Sequence, residues 1–176
     1  SNTLFELVNY CDKYEVDLCG SSLFNDDESL NSYGGGFVNP FTLSVRSNRD
    51  KSAIPDYISG AAMLIRKSCL NEIGLMPDEY FLYYEDADWT FMARELGFKI
   101  SVCLNSHIIH LESKTTKKNS VLYYYYINRA KLIFAKKYFP SYFIAIKAIF
   151  ILKAAYYCLS NKRNIGSMLL DLLVLK

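Results

Sequence analysis

Short apolar strands alternate with amphipathic helices over residues 1–112, and this alternation is the feature that most constrains the fold of the chain. The spacing of apolar residues predicts helices over residues 3–15, 67–73 and 86–96, and strands over residues 16–24, 56–66 and 98–104. Such alternation is typical of α/β domains, in which helices cover the faces of a sheet. We therefore predict an α/β fold for this part of the chain.

Local signals indicate where these elements end and which faces they bury. Gly74 and Gly97 stand where helices commonly end, and Ser59-Gly60 interrupts the second strand. Residues 25–52 are polar and rich in glycine, which predicts a long loop with a short hairpin near residues 37–45. The apolar faces predicted to be buried are Leu4, Phe5, Leu7, Val8 and Cys11 in the first helix and Trp89, Met92, Ala93 and Leu96 in the third.

The character of the sequence changes after Glu112. Residues 113–120 form a polar, basic linker, and the apolar spacing beyond them predicts helices over residues 121–138, 141–159 and 165–175. Pro140 should break the helical run, since proline lacks the N–H that a helix interior needs. We therefore divide the chain into residues 1–112 and a C-terminal helical segment, residues 113–176.

Charge and cysteine content exclude several classes of function. A formal net charge of +2 and a pI near 8.2 are too mild to indicate a nucleic-acid partner. The five cysteines are widely spaced and include no C-x-x-C pair, which predicts neither a disulfide framework nor a zinc site. We expect them to be reduced and buried, as in a cytosolic protein. They are Cys11, Cys19, Cys69, Cys103 and Cys158.

Three carboxylates stand within four residues where the third helix is predicted to begin. They are Glu85, Asp86 and Asp88. Acidic residues favour helix N-termini because they accept hydrogen bonds from free N–H groups and suit the helix dipole, so a capping role is one interpretation. A carboxylate stabilised in its ionised form at this place is also suited to accept a proton as a general base.

The wider pattern around this cluster resembles a known family of enzymes. In chain order it comprises YISGAAMLIR at residues 57–66, IGLM at 73–76, FLYYEDADW at 81–89, ARELGFKI at 93–100, and His110. In order and spacing these motifs resemble the second half of family 2 glycosyltransferases of the GT-A type, closest to the rhamnosyltransferase-like branch. The resemblance implies a partial Rossmann-like fold with a mixed sheet, namely the acceptor half of an inverting enzyme.

The resemblance also implies roles for the acidic cluster. The position of Asp86 matches the general base that deprotonates the acceptor hydroxyl, and Glu85 is the alternative assignment. Asp88 matches a residue that orders the loop. Trp89 matches a residue that forms the floor of the acceptor site. Its place on the apolar face of the helix equally suits core packing. Ser59-Gly60-Ala61 matches a strand that lines the active site, where a glycine allows close approach of a ligand. A simple strand bulge would also explain that glycine.

The donor side of such an enzyme is expected to lie elsewhere. His110 matches a histidine near the divalent metal, Mg²⁺ or Mn²⁺, and near the diphosphate. The chain departs from the pattern after it, where Leu111-Glu112-Ser113 replaces the usual glycines. Neither the nucleotide-binding unit nor the Asp-x-Asp motif of the family is found in the sequence. We therefore expect a nucleotide-sugar donor for the parent protein and an inactive isolated chain.

The sequence predicts two alternative kinds of partner for the C-terminal helices. Residues 138–159 are nearly continuous in apolar residues, yet Lys147 and Lys153 lie inside them and disfavour a membrane span. An interfacial helix at the inner face of the cytoplasmic membrane and a helix packed on protein or in a homodimer are both compatible. The acceptor implied is a glycan or lipid-linked saccharide of a cell-surface polysaccharide. The alternative function is a non-catalytic carbohydrate- or membrane-associating or oligomerisation module.

Overall fold

The computed structural model describes residues 2–111, 120–160 and 162–174, and the predicted basic linker lies outside these residues except for Ser120. The chain divides into two compact units. The first unit comprises Ser1–Val38, Val45–Pro77 and Glu85–Glu112, and the second comprises Asn39–Ser44, Asp78–Tyr84 and Ser113–Lys176. A domain boundary after residue 112 stays a prediction, because residues 112–119 are not described.

The first unit contains three helices and seven strands among its described residues. The helices are α1 (Thr3–Tyr14), α2 (Lys67–Ile73) and α3 (Glu85–Glu95). The strands are β1 (Leu18–Phe24), β2 (Leu30–Tyr33), β3 (Gly35–Val38), β4 (Val45–Ser47), β5 (Tyr57–Ile58), β6 (Met63–Ile65) and β7 (Ile100–Ile109). Helix α2 has the predicted bounds, α1 ends one residue earlier than predicted, and α3 begins and ends one residue earlier.

Strand β1 is the centre of the main sheet. It pairs in parallel with β7 along one edge and antiparallel with β6 and β2 along the other. A second, antiparallel sheet has the order β4-β3-β5. Because β1 has partners on both edges, six of its seven residues are buried. The mixed sheet and its helices confirm the predicted α/β class and are consistent with a partial Rossmann-like fold.

The strands differ from the predicted elements in several places. Residues 25–52, predicted as a long loop with a short hairpin, contain strand β2 in addition to the antiparallel pair β3 and β4, because β2 pairs with β1. The apolar run at residues 56–66 forms β5 and β6, which are separated at the predicted interruption and belong to different sheets. Strand β7 begins at Ile100 and runs to Ile109, beyond the predicted end at residue 104. Its additional length follows from its pairing, since β7 matches β1 as far as Phe24, with a register shift after Ser21.

The predicted apolar faces of two helices were partly wrong. In α1, Leu7 and Cys11 are buried against Val16, Cys19 and Cys103, whereas Leu4, Phe5 and Val8 are exposed. This helix meets the sheet along one narrow side, which leaves the rest of its apolar surface uncovered. In the third helix, Ala93 is buried and Leu96 is 58% exposed, because α3 ends at Glu95 and Leu96 lies beyond its last turn.

Glycines 34 to 36 bring β3 close to two neighbouring segments. Gly34 has a φ of +77°, which L-amino acids with a side chain rarely adopt, and its carbonyl accepts a 2.8 Å hydrogen bond from the Ser59 N–H. A Cβ added at Gly35 would lie 2.0 Å from the carbonyl oxygen of Tyr57. The glycine run therefore sets the position of β5 and of the turn that follows it.

The second unit is helical in its C-terminal part. Its helices are α4 (Val121–Tyr138), α5 (Phe143–Leu159) and α6 (Arg163–Val174), with short 3₁₀ helices at Asp78–Tyr80 and Pro140–Tyr142. Helix α4 has the predicted bounds and ends just before Pro140, as expected. A Cβ at Gly166 of α6 would lie 2.5 Å from the Cys158 Sγ, so α5 and α6 approach closely at that point.

The cysteines occupy the predicted kind of environment. Cys11, Cys19, Cys69 and Cys103 are buried among apolar side chains, and Cys158 is half-buried. Burial raises the pKa of the Cys69 thiol to about 11, which keeps it protonated at neutral pH.

Candidate active site

Asp86 lies in the first turn of α3 and faces the turn between β5 and β6. Its Oδ2 accepts a 3.0 Å hydrogen bond from the Gly60 N–H, and its Oδ1 accepts a 2.8 Å hydrogen bond from the Ala87 N–H. Burial raises the pKa of this carboxyl, while the two N–H donors act in the opposite direction. The carboxylate is thus fixed in orientation by the backbone and holds a proton more tightly than an ordinary aspartate.

Glu85 stands beside Asp86 in an environment that disfavours its ionised form. Within the described part of the chain, its Oε2 is a buried oxygen for which no hydrogen-bond donor is present. Burial raises the pKa of the Glu85 carboxyl, and the negative charge of Asp86 raises it further. A buried polar atom without a partner usually costs free energy and calls for an explanation, which a functional site provides.

We expect Glu85→Gln to increase the stability of the fold at neutral pH. The pKa of Glu85 is raised in the folded state, so folding stability is lost as pH rises from the unfolded pKa through the folded one. At pH 7 this difference between the folded and unfolded pKa opposes folding, and glutamine, which does not titrate, removes it. The melting temperature of the variant should exceed that of the wild type at pH 7, and the difference should vanish below about pH 4.

The control for this experiment is Glu95→Gln. Glu95 is exposed at the other end of the same helix, so the same chemical change there should leave the melting temperature unaltered at both pH values. A lower melting temperature for Glu85→Gln at pH 7 would contradict the prediction, because it would mean that the charged form is stabilised by the fold.

The predicted Ser59-Gly60-Ala61 segment forms the turn opposite Asp86. Gly60 and Ala61 are exposed, and a Cβ added at Gly60 would lie 3.4 Å from the Asp86 Cβ and 3.8 Å from Oδ2. The absence of a side chain at Gly60 leaves space beside the carboxylate. The Ser59 Oγ accepts a 3.4 Å hydrogen bond from the Ala61 N–H. Of the three predicted residues, Gly60 is therefore the one whose backbone holds Asp86.

Trp89 and Asp88 have positions that suit a supporting role. The Trp89 indole donates a 3.0 Å hydrogen bond to the Gly74 carbonyl, and its half-buried ring packs against the core of the first unit. This packing agrees with the core interpretation of Trp89, and its role as the floor of an acceptor site stays a prediction. Asp88 is completely buried, and its role in ordering the loop stays a prediction.

Thr90 is a site residue that the sequence analysis did not single out. Its Oγ1 donates a 2.8 Å hydrogen bond to the Asp86 carbonyl and accepts a 3.1 Å hydrogen bond from the Ile58 N–H. Because Thr90 is buried and bonds to both elements, it holds the first turn of α3 against β5. The signal was present in the spacing, since a threonine four residues after Asp86 lies over it on a helix.

The loop that leads into α3 is strained. Phe81, Tyr83 and Tyr84 have φ values of 59°, 68° and 69°, in the left-handed region that residues with a side chain rarely occupy. Such residues cost on the order of 1–3 kcal/mol each and persist only where the surroundings hold them. Backbone strain of this kind clusters at functional sites, so its position immediately before Glu85 in the sequence supports the choice of this region as a candidate site.

Aromatic contacts to α4 hold this loop. The ring centroids of Phe81 and Tyr126 are 4.7 Å apart, and those of Tyr83 and Tyr123 are 5.6 Å apart. The Tyr84 ring lies 5.1 Å from that of buried Phe134, and its hydroxyl donates to the Leu43 carbonyl. The tyrosine run at residues 123–126 thereby acquires a structural function.

His110 lies at the end of β7, where its backbone N–H donates a 2.8 Å hydrogen bond to the Phe24 carbonyl. Among residues 2–111, 120–160 and 162–174, no group of three or more His, Cys, Asp or Glu side chains is placed to hold a metal ion. The donor set around His110 therefore does not by itself fit a divalent cation. A contribution of His110 to a shared metal site stays a prediction.

Comparison with known proteins indicates similarity to curated transferases. No family model matches the chain. Two curated proteins, each described as N-acetylglucosaminyl-diphospho-decaprenol L-rhamnosyltransferase, from two strains of Mycobacterium tuberculosis, are 26% identical to it over 83 residues. The matched region is 46% of this chain and 27% of each relative, so the chain corresponds to about a quarter of their length. The match indicates a distant relationship to glycosyltransferases.

Proposed function

We propose that this chain supplies the acceptor-side, general-base part of an inverting glycosyltransferase of family 2 and the GT-A type. The observation that carries the proposal is the environment of the Asp86 carboxylate, which is oriented by two backbone N–H groups beside an exposed glycine. The distant relationship to a rhamnosyltransferase supports the same class of reaction.

The geometry leaves Asp86 able to accept a proton. A carboxylate has about four lone-pair positions, and one on each oxygen is occupied by a backbone N–H. An acceptor hydroxyl that approaches over Gly60 would bond to one of the remaining positions. As the hydroxyl oxygen bonds to the anomeric carbon of the donor, its proton passes to Asp86. The bond from that carbon to the nucleoside diphosphate breaks, and the diphosphate leaves with the bonding electrons.

The raised pKa of Asp86 improves it as a base. A general base is most effective when its pKa approaches the operating pH, because it then combines basicity with a sufficient deprotonated population. Burial raises the pKa of Asp86, and the N–H groups of Gly60 and Ala87 act against that rise. Glu85 is the alternative base, with a buried oxygen that lacks a donor in the described structure.

We propose that the nucleotide-sugar donor and its metal are held mainly by residues other than these 176. A nucleotide-binding half that carries Asp-x-Asp would hold the nucleotide-sugar and Mg²⁺ or Mn²⁺, and His110 would approach that metal from this side. When bound, the cation would stabilise charge on the departing diphosphate. The isolated chain is accordingly proposed to be inactive. The acceptor is proposed to be lipid-linked, as the names of the two relatives indicate for those proteins.

A transfer assay with the full-length protein tests the proposal. The protein is incubated with a panel of nucleotide-sugars, Mn²⁺ and a prenyl-diphospho-N-acetylglucosamine acceptor, and products are detected by mass spectrometry. We expect one sugar to be transferred, with inverted anomeric configuration by NMR. Retained configuration would exclude the single-displacement mechanism. Acceptor binding without transfer from any donor would favour the non-catalytic carbohydrate-binding module instead.

A further inference from the structure

Helix α5 exposes an entirely apolar surface. Every exposed position in Phe143–Leu159 is occupied by an aliphatic or aromatic residue or by alanine. The large ones are Ile144, Ile149, Ile151, Leu152, Tyr156 and Leu159. Ile144, Leu152 and Leu159 are 85%, 71% and 90% exposed. Contiguous apolar surface of this kind is rare on soluble monomers and marks a place of interaction.

The two lysines of α5 lie outside this surface. Lys153 is half-buried and donates a 3.2 Å hydrogen bond to the Oδ1 of buried Asn128, and Lys147 Nζ lies 3.5 Å from the Leu173 carbonyl. In the part of the chain that the structure describes, one helical stretch, Pro140–Leu159, is both long enough and apolar enough to cross a membrane. A span would place both lysine charges inside hydrocarbon, which costs roughly 2.5–3.5 kcal/mol each. Contact of one face with an interface avoids that cost.

The near-neutral net charge of the whole chain is the sum of an acidic part and a basic part. Residues 113–176 carry twelve Lys and Arg and a single acidic residue, Asp171, whereas residues 1–112 carry eight Lys and Arg and seventeen Asp and Glu. Charge asymmetry of this size between parts of a chain indicates an anionic partner for the basic part. It also disfavours a second copy on the α5 surface, because two strongly basic segments would be brought together.

A groove in the second unit combines cations with apolar walls. Its volume is about 710 Å³, and its lining includes Arg129, Lys136, Lys137 and Lys147 together with Leu132 and Phe143. Glu79 is an acidic residue in the lining, and the Arg129 guanidinium donates to its backbone carbonyl. Lys147 follows Ile144 by three residues and precedes Ile151 by four, so the groove neighbours the apolar surface of α5.

We propose that the second unit docks on an anionic lipid surface. The apolar side chains of α5 enter the boundary between headgroups and acyl chains, and the cationic groove receives the phosphate of an anionic lipid. A basic helix with a large apolar face lies in the membrane interface in this manner, and its binding strength adds apolar burial to attraction by anionic lipids. Nucleic acid would satisfy the charges but leave the apolar surface in water. The proposal is independent of sugar transfer.

Vesicle flotation of the 176-residue chain tests the docking. We expect it to float with vesicles of 30% phosphatidylglycerol in phosphatidylcholine at 150 mM salt, and to float much less with phosphatidylcholine alone or at 1 M salt. The double variant Ile144→Ser, Leu152→Ser should lower the partition coefficient by about ten-fold or more. Lys136→Gln and Lys137→Gln should each lower it about five-fold.

Matched controls separate docking from general hydrophobicity and charge. Leu75 is 84% exposed in the first unit, and Lys67 is an exposed lysine there, so Leu75→Ser and Lys67→Gln should float like the wild type. Thermal melts establish that each variant folds, as expected for substitutions of exposed side chains.

Four results would overturn the proposal. The first is absence of flotation with anionic vesicles, and the second is equal flotation of the Ile144→Ser, Leu152→Ser and Leu75→Ser variants. The third is a dimer in sedimentation velocity that the double variant converts to a monomer, since this would assign the surface to a second copy. Binding to a 20-base-pair DNA duplex in preference to vesicles would likewise contradict it. None of these measurements depends on transferase activity.

Discussion

Asp86→Asn in the full-length protein is expected to lower the rate of sugar transfer by about 10²- to 10⁴-fold, which is the usual contribution of a general base. Asparagine has nearly the same shape, and its side-chain oxygen can still accept the Gly60 N–H hydrogen bond. It cannot take the proton of the acceptor hydroxyl. The loss should therefore fall on kcat, with little change in KM, and it should be accompanied by unchanged folding.

The pH dependence provides an independent check on this assignment. The pKa of Asp86 is raised by burial, so kcat/KM of the wild type should fall as pH decreases through a value above that of an ordinary aspartate. That acidic limb should disappear in Asp86→Asn. Glu95→Gln, at the exposed end of α3, should retain full activity. If Asp86→Asn transfers sugar normally while Glu85→Gln does not, the base is Glu85.

Gly35→Ala is expected to destabilise the first unit by about 3 kcal/mol or more. The added Cβ would lie 2.0 Å from the Tyr57 carbonyl oxygen and 3.1 Å from the Ser59 nitrogen. Both are backbone atoms, so β3 and β5 must separate rather than a side chain turn away. For a chain of this length, each kcal/mol lowers the melting temperature by about 2–4 °C, and the loss should be evident in thermal and urea unfolding.

The control for this substitution is Gly60→Ala. The nearest atom to its added Cβ is the Asp86 Cβ at 3.4 Å, at the edge of ordinary van der Waals contact, and no positive φ requires a glycine there. Stability should change by less than about 1 kcal/mol, while transfer should slow because the methyl group narrows the approach to Asp86. Equal stability of Gly35→Ala and the wild type would refute the close approach of β3 and β5.

Local sequence signals predicted the elements that local interactions determine. Helix α2 ends before Gly74 and α4 ends before Pro140 because these residues terminate a helix by their own conformational limits. The end of β7 was not predictable in this way. Its last residues pair with β1, more than 80 residues earlier in the chain, and a window of apolar residues carries no information on that partner.

The candidate site shows the same difference between features set by local sequence and features set by long-range contacts. Asp86 was predicted from its motif, but the hydrogen bond from Gly60 joins residues 26 positions apart and appears only in the folded chain. The left-handed backbone at Phe81, Tyr83 and Tyr84 opposes the preferences of those residue types. No propensity argument could have predicted it, because ring contacts to α4 maintain it.

That strained loop has a consequence for how related sequences should vary. Glycine adopts a left-handed backbone without steric cost, so a Phe or Tyr is retained at such a position only while its ring has a partner. Loss of Tyr126 would leave the Phe81 ring without its partner, and loss of Tyr123 would do the same to Tyr83. In an alignment of homologues, positions 81 and 126 and positions 83 and 123 should therefore covary, with glycine in the loop accompanying small residues in the helix.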